Sequence, residues 1–262
     1  MKIVIVSECK AREMVAVEKI LQYFPNSIIV KPIYPKNKKN IKSLPKRIFE
    51  KGQYKILKRM VLEHNTKLHI IDNIPINANK INSQEGIQLF KDLAPDLLIT
   101  CRAPILASEI IKIPSIAAIN LHYGIAPKYR GNDTLFWALF NHDYENLGGC
   151  IHHIDCGVDT GNILAEVYPP LHSTDTELSI GIKTSQLLGI AMVNYIKAQE
   201  KSQCPILGKP QKQKGKNYHY SERTFSKSVK LLLRSKRYLP AIPERPQKMI
   251  TYFKKETVNI FA

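Results

Sequence analysis

Apolar residues follow two rhythms along this chain. Residues 2–6, Lys2-Ile3-Val4-Ile5-Val6, are almost wholly apolar, as a strand covered on both faces of a parallel sheet should be. Residues 8–24 then place Met14, Val15, Val17, Ile20, Leu21 and Phe24 at helical spacing, and Pro25-Asn26 ends the run. Residues 27–30 supply a second short strand, and this βαβ opening predicts a doubly wound sheet. Pro32, Pro35 and Pro45 postpone the next helix to about Lys46. From there to Leu62 the pattern turns Ile48, Phe49, Ile56, Leu57 and Met60 toward the body and the lysines outward. A third strand is predicted over 68–71, a helix opened by Asn82-x-x-Glu85 and closed by Ala94-Pro95, and a fourth strand over 96–100. The fold class is α/β: a Rossmann-like, mostly parallel sheet flanked by helices.

Past residue 115 the rhythm repeats. Residues 116–121 read as a buried strand that runs into a loop, and a helix starts near Asp133-Thr134, whose side chains can cap it. Leu135, Trp137, Ala138 and Leu139 are expected in the core. Strands follow over 150–154 and 162–167, the second ended by Pro169-Pro170. Thr174-x-x-Glu177 is a capping box for a helix to about Lys197, with Leu178, Ile182, Leu188, Met192 and Ile196 inward. Residues 198–220, rich in Lys, Gln, Gly and Pro, read as a linker or wrapping arm. Residues 225–238 predict a basic amphipathic helix with Phe225, Val229 and Leu232 on one side, then an irregular tail around Pro240, Pro243 and Pro246. The expected division is a catalytic domain over 1–205 and a short basic appendage over 206–262.

Charge sharpens this picture. Of the net +17, residues 31–60 hold +10 and residues 207–262 hold +11, so the remainder is slightly acidic. Two basic segments outside the central part attract phosphates of a nucleotide, an RNA or a membrane surface; a solvated idle face is the plain alternative. Apolar runs fall far short of the ~20 residues of a membrane helix. The first residues read as a strand and not a signal peptide, so a cytoplasmic protein is expected. The five cysteines are odd in number and contain no Cys-x-x-Cys pair, which argues against a disulfide framework or a zinc knuckle. Cys101 and Cys156 are at most pocket lining.

The chemistry concentrates near the middle. Asn120 and His122 stand two apart at a strand end, so period-two geometry puts carboxamide and imidazole on one side and Ile119 and Leu121 on the other. An amide donor beside an imidazole that can be protonated suits a carbonyl oxygen acquiring negative charge. Asp159, in a Gly-flanked turn after another apolar run, can bring its carboxylate to the same pocket, where it favours the charged imidazole. Singly, each is ordinary strand-end or turn chemistry. Together they are specific.

Asn120-x-His122, the loop Pro127-x-Tyr129-Arg130-Gly131, Trp137-Ala138, and Val158-Asp159-Thr160-Gly161 with Ile163-Leu164 resemble the 10-formyltetrahydrofolate-dependent formyltransferases. That family includes enzymes acting on methionyl-tRNA, glycinamide ribonucleotide and nucleotide-linked amino sugars. The resemblance is closest over about residues 90–200. It implies Asn120, His122 and Asp159 as catalytic residues, with 10-formyltetrahydrofolate as cosubstrate and no metal. It also implies Pro104, Ile105, Leu106, Asp155 and Gly157 beside the folate, and Tyr129, Arg130 and His152 toward the acceptor. Of His152 and His153, which point to opposite faces, the resemblance favours His152 as pocket lining. Where relatives carry a Gly-rich or Gly-Thr-Pro turn after the first strand, this chain reads Ser7-Glu8-Cys9-Lys10, which weakens the ribonucleotide as substrate. The expected acceptor is a small-molecule amine on an anionic sugar nucleotide, with tRNA as the alternative. A homodimer is admitted and integral membrane association is not. A non-catalytic nucleic-acid-binding protein that reuses the fold stands as the other class of reading.

Overall fold

The computed structural model of the protein describes residues 1–35, 44–63, 72–213, 215–237 and 242–253. In chain order the elements are β1 (Ile3–Ser7), α1 (Ala11–Tyr23), β2 (Ile28–Ile33), α2 (Leu44–Glu63), β3 (Asn73–Asn77), α3 (Gln84–Leu93), β4 (Leu97–Cys101), α4 (Ser108–Ile111) and β5 (Ala117–His122). Then come β6 (Tyr129–Gly131), α5 (Thr134–Phe140), β7 (Gly149–His153), β8 (Ile163–Tyr168), α6 (Glu177–Glu200), β9 (Lys216–Tyr218), α7 (Phe225–Arg237) and β10 (Lys248–Thr251).

The main sheet has the order β10-β8-β7-β5-β4-β1-β2-β3. Strands β3, β2, β1, β4 and β5 pair in parallel, whereas β7 and β10 run against their neighbours. The chain leaves β1 toward β2 on one side and returns through β4 on the other, so the strand order reverses between β1 and β4. In such sheets ligands bind outside the carboxyl ends of the strands near that reversal.

Period-two alternation divides the core. Ile3 and Ile5 face one layer with Val17, Ile20, Met192 and Ile196 of α1 and α6. Val4 and Val6 face the other, with Phe90, Leu98, Leu106 and Ile110 of the α3 and α4 side. Each such side chain, fully buried, contributes roughly 1.5–3 kcal/mol. Helices α1 and α6 meet closely at Gly189, where an added Cβ would lie 2.9 Å from the Ala16 carbonyl oxygen.

Several local expectations change. The strand expected at 68–71 lies outside the described residues, and the third described strand in chain order is β3. On α2 it is Leu57, Met60 and the fully buried Val61 that pack on Ala11, Val15 and Ile182, while Ile48 and Ile56 are exposed. Asn82 does not cap α3, whose N-cap Ser83 makes no side-chain cap bond. Asn82 ties down the loop after β4 instead, donating to the Ile105 carbonyl and accepting from the Ala107 amide, each at 2.9 Å. The α5 cap is absent too, because Asp133 pairs with Arg223 at 3.2 Å and the Thr134 hydroxyl donates to the Tyr123 carbonyl. The capping box of α6 is Thr176 with Ser179, two residues past the predicted one, and Glu177 is taken by Arg223 at 2.8 Å. On α7 Leu231 is buried and Leu232 is partly exposed.

Residues beyond 205 are woven into the body. Residues Ile163 and Lys209 exchange two backbone hydrogen bonds of 2.8 Å, β9 pairs with β6, and β10 completes the edge of the main sheet beside β8. Arg245 donates to the carbonyls of Tyr144 at 2.8 Å and Leu147 at 2.7 Å. The tail expected to be irregular thus supplies a strand, and Met249 and Ile242 are core residues.

Candidate active site

Five strand or turn positions converge at the carboxyl ends of β4 and β5. Strand β5 presents Asn120 and His122 on one side, with Ile119 and Leu121 buried on the other. The parallel register sets Thr100 of β4 beside Asn120, and the antiparallel register sets His152 of β7 on its other flank. Asp159 arrives from the turn between β7 and β8, in a left-handed conformation with φ of 51°.

The polar groups are closely coupled. The Thr100 hydroxyl donates to Asn120 Oδ1 at 2.8 Å, so the Asn120 amide nitrogen is turned the other way. That nitrogen donates to Asp159 Oδ1 at 3.2 Å and faces His152 Nε2 at 3.3 Å. Asp159 Oδ2 accepts the Gly131 amide at 2.8 Å and lies 3.4 Å from His122 Nδ1. His122 Nε2–H donates to the Tyr129 carbonyl at 2.9 Å. His152 Nδ1–H donates to the His153 carbonyl at 2.7 Å, which leaves Nε2 at 3.3 Å from Asp159 Oδ1.

Burial and charge oppose each other here. Burial alone would raise the Asp159 pKa, but His122, His152 and the Gly131 amide outweigh it and hold the carboxyl well below the usual carboxylate range. For His122 the balance falls the other way: burial lowers its pKa, Asp159 raises it only in part, and the net shift is downward. That direction runs against the expectation that Asp159 keeps His122 charged, although Asp159 does pull the ring toward its charged form. Yet both ring nitrogens face acceptors, and a neutral imidazole has one N–H. The ring is poised to take a proton when more negative charge arrives.

Other predicted positions divide. Leu106 is buried and Ile105 is 81% exposed, on the loop that Asn82 holds. Asp155 closes its own turn, accepting from the Gly157 amide at 3.0 Å and the Thr160 hydroxyl at 2.6 Å. A Cβ at Gly157 would collide with that hydroxyl at 2.0 Å. The Tyr129 side chain points away from Asp159: it is buried, donates to Asp143 Oδ2 at 2.9 Å and stacks on Tyr218, so the site receives its carbonyl alone. Arg130 lies on β6, not in a loop. It donates through Nη2 to the Gly215 carbonyl at 2.8 Å, and its buried Nε has no partner among the described residues. Cys101 is a core residue, packed with Ile99, Ile119 and Leu121, and desolvation pushes its thiol up to about 12, so it is not a nucleophile. Among the described residues no group of His, Cys, Asp and Glu is arranged to hold a metal ion.

Two contributors carry no mark in the sequence, Thr100 and Gln211, whose amide nitrogen donates to the Asp159 and Gly161 carbonyls at 3.0 and 2.7 Å; a third, Gly131, is visible only as part of a motif, with nothing to show that its amide meets Asp159. The positive φ that a Gly takes at Gly131, 85°, is the nearest thing to a signal.

A family model described as formyl transferase matches residues 31–196. A methionyl-tRNA formyltransferase of Methylacidiphilum infernorum is 34% identical over 150 residues, 57% of this chain and 44% of the relative. The chain therefore spans less than half of that relative's length. The structure resembles a sugar N-formyltransferase from Shewanella with a TM-score of 0.57 at 18% identity, covering 90% of this chain and 87% of the other. It also resembles the formyltransferase PseJ from Anoxybacillus kamchatkensis, solved with UDP-4,6-dideoxy-4-formamido-L-AltNAc and tetrahydrofolate, with a TM-score of 0.52 at 18% identity, covering 92% and 96%. At those identities the likeness is one of fold.

Proposed function

The chain belongs to the formyl transferase family, and from that premise we propose that it moves the formyl group of 10-formyltetrahydrofolate to a primary amine carried by a nucleotide-linked amino sugar. One observation carries the reading: an amide donor and an imidazole from one strand end each lie within 3.4 Å of the same buried carboxylate.

The chemistry follows from those groups. The lone pair of the neutral amine attacks the formyl carbon, a C–N bond forms, and the carbonyl π pair moves onto oxygen. Asn120 stands where its N–H can be turned to receive that oxyanion, a type of contact that water cannot match because protein dipoles are already oriented; His122 joins it only by releasing the Tyr129 carbonyl that its Nε2–H now meets at 2.9 Å. The Asn120 bonds in the resting site are long, at 3.2–3.3 Å, so redirecting them costs little. The new negative charge beside Asp159 raises the proton affinity of His122, so protonation of the ring accompanies the transition state. Asp159 helps carry the amine proton onward, and collapse expels the folate nitrogen, which takes up a proton. A formamide and tetrahydrofolate result.

Pro104, Ile105 and Leu106, with Asp155 and Gly157, are assigned to the folate. Support comes from the exposed Ile105 on a loop whose backbone Asn82 holds in place, an arrangement suited to a flat heterocycle with donor and acceptor edges. Arg130, with its unpartnered Nε, and His152 are assigned to the acceptor side. The Tyr129 side chain is not, because Asp143 and Tyr218 already engage it.

The sugar acceptor draws support from sugar N-formyltransferases that align along nearly their whole length. Identity to methionyl-tRNA formyltransferases and the two basic segments support tRNA as the second reading. Incubation with 10-formyltetrahydrofolate and a panel of amino-sugar nucleotides, initiator tRNA and ribosyl amines is expected to add one formyl mass to an amino-sugar nucleotide. Mass gain on tRNA alone would move the assignment to the second reading. No gain on any amine, with no folate binding by calorimetry, would remove the enzymatic one.

A further inference from the structure

We propose that Gln211 is a positioning residue for the Asp159 carboxylate, so that the segment after residue 205 completes the site. The consequence for catalysis rests on the formyl-transfer reading, although the geometry does not.

Asp159 occupies left-handed backbone space, with φ of 51°, which Asp tolerates better than other residues bearing a Cβ and which contacts to its turn help to fix. The hold is visible. One amide nitrogen, Gln211 Nε2, spends its two hydrogens on two carbonyls of the same turn, 3.0 Å to Asp159 and 2.7 Å to Gly161. A side chain of this length with two donors on one atom is what the clamp requires. Met has the length and no donor, and Glu would turn a negative oxygen toward two carbonyls.

Gln211 is itself fixed on both sides. Before it, Ile206 accepts from His153 Nε2 at 2.8 Å, Leu207 accepts from Asn162 at 2.9 Å, and Lys209 is paired with Ile163. After it, Gly215 accepts from Arg130 and β9 is paired with β6. The carboxylate that this turn presents touches His122, His152 and Asn120 at 3.2–3.4 Å, near the limit for such contacts, so a small displacement of the turn breaks them. The Gly131 amide, bonded to Asp159 Oδ2 at 2.8 Å, reports the position of that carboxylate without any substrate.

The test compares wild type with Gln211→Met and Gln211→Glu, using Asp159→Ala as the reference. The first readout is hydrogen exchange at the Gly131 amide. We expect it to quicken about tenfold in both Gln211 variants, the factor lost with one modest hydrogen bond, toward the rate in Asp159→Ala and with Tyr218 of β9 unchanged. The second is formyl transfer from 10-formyltetrahydrofolate to the 4-amino precursor of UDP-4,6-dideoxy-4-formamido-L-AltNAc, where kcat should fall and KM hold. Wild-type exchange at Gly131 in both variants overturns the proposal, and so does a faster exchange spread evenly through β6 and β9, which would mean that the segment has simply come loose. Absence of transfer in the wild type counts against this acceptor, and the amide readout then decides the role of Gln211 by itself.

Discussion

A carboxamide is nearly symmetric in shape, so which end enters a site depends on its neighbours. For Asn120 both flanks agree: the Thr100 hydroxyl meets the oxygen and the Asp159 carboxylate meets the nitrogen. If the nitrogen serves an oxyanion, Asn120→Ala should lower kcat by about 10²- to 10³-fold. Thr100→Val, which keeps the branched shape on β4 but leaves the buried amide oxygen without its donor, should lower kcat by roughly tenfold, and Thr100→Ser should restore it. In an Asn120→Ala background Thr100→Val should do little more, and full additivity in that double-mutant cycle would show that Thr100 does not act through Asn120. The Asn120–His122 pair was legible because one strand carries both at period two. Thr100 was not, since its place beside Asn120 is set by pairing between strands 20 residues apart in sequence.

Titration at the same residues has a definite sign. Asp159 has a depressed folded pKa, so its stabilising contribution is present above the unfolded value of about 3.9 and is lost as pH falls toward the folded value. His122 is also depressed, so below its unfolded value of about 6.5 the unfolded chain binds a proton that the folded chain resists. Both terms lower stability on acidification. In urea titrations from pH 8 to pH 3, His122→Gln should flatten the fall above pH 5, and Asp159→Asn the fall near and below pH 4. A His122→Gln profile parallel to wild type throughout would contradict the buried, depressed imidazole.

Elements were legible where a repeating pattern spoke and obscure where a single side chain had a choice. β1, α1, β4, β5 and α6 follow from apolar periodicity alone. The caps do not, because Asn82, Asp133 and Thr134 found partners in distant segments that no local spacing announces. β10 hid behind three prolines, as four residues whose partner β8 lies some 80 positions earlier. The close pairing of α1 and α6 depends on a residue without a side chain. Gly189→Val should therefore destabilise by about 1–3 kcal/mol through overpacking against Ala16 and Lys19. Chemical denaturation would measure it, and an unchanged midpoint would mean that the two helices can separate without loss.

At the scale of the whole molecule the charge is the unabsorbed feature. The two basic segments, far apart in sequence, meet: Phe49 of α2 and Phe225 of α7 contact edge to face with ring centres 5.6 Å apart. Lys51, Lys55 and Lys58 on α2 and Lys230 on α7 are exposed, so folding brings two basic helices into contact instead of dispersing their charge. Such a surface draws in any polyanion, and salt separates the candidates. An RNA held by six to ten phosphate contacts loses about 10³- to 10⁵-fold in affinity between 50 and 200 mM salt. A sugar nucleotide with one diphosphate has few charges to screen. For the proposed acceptor, kcat/KM should change by no more than about tenfold across that range. A steep loss, with a logarithmic slope of several units, would assign the basic helices to an RNA acceptor. A shallow one would leave the Asn120, His122 and Asp159 site as the place where the acceptor is chosen.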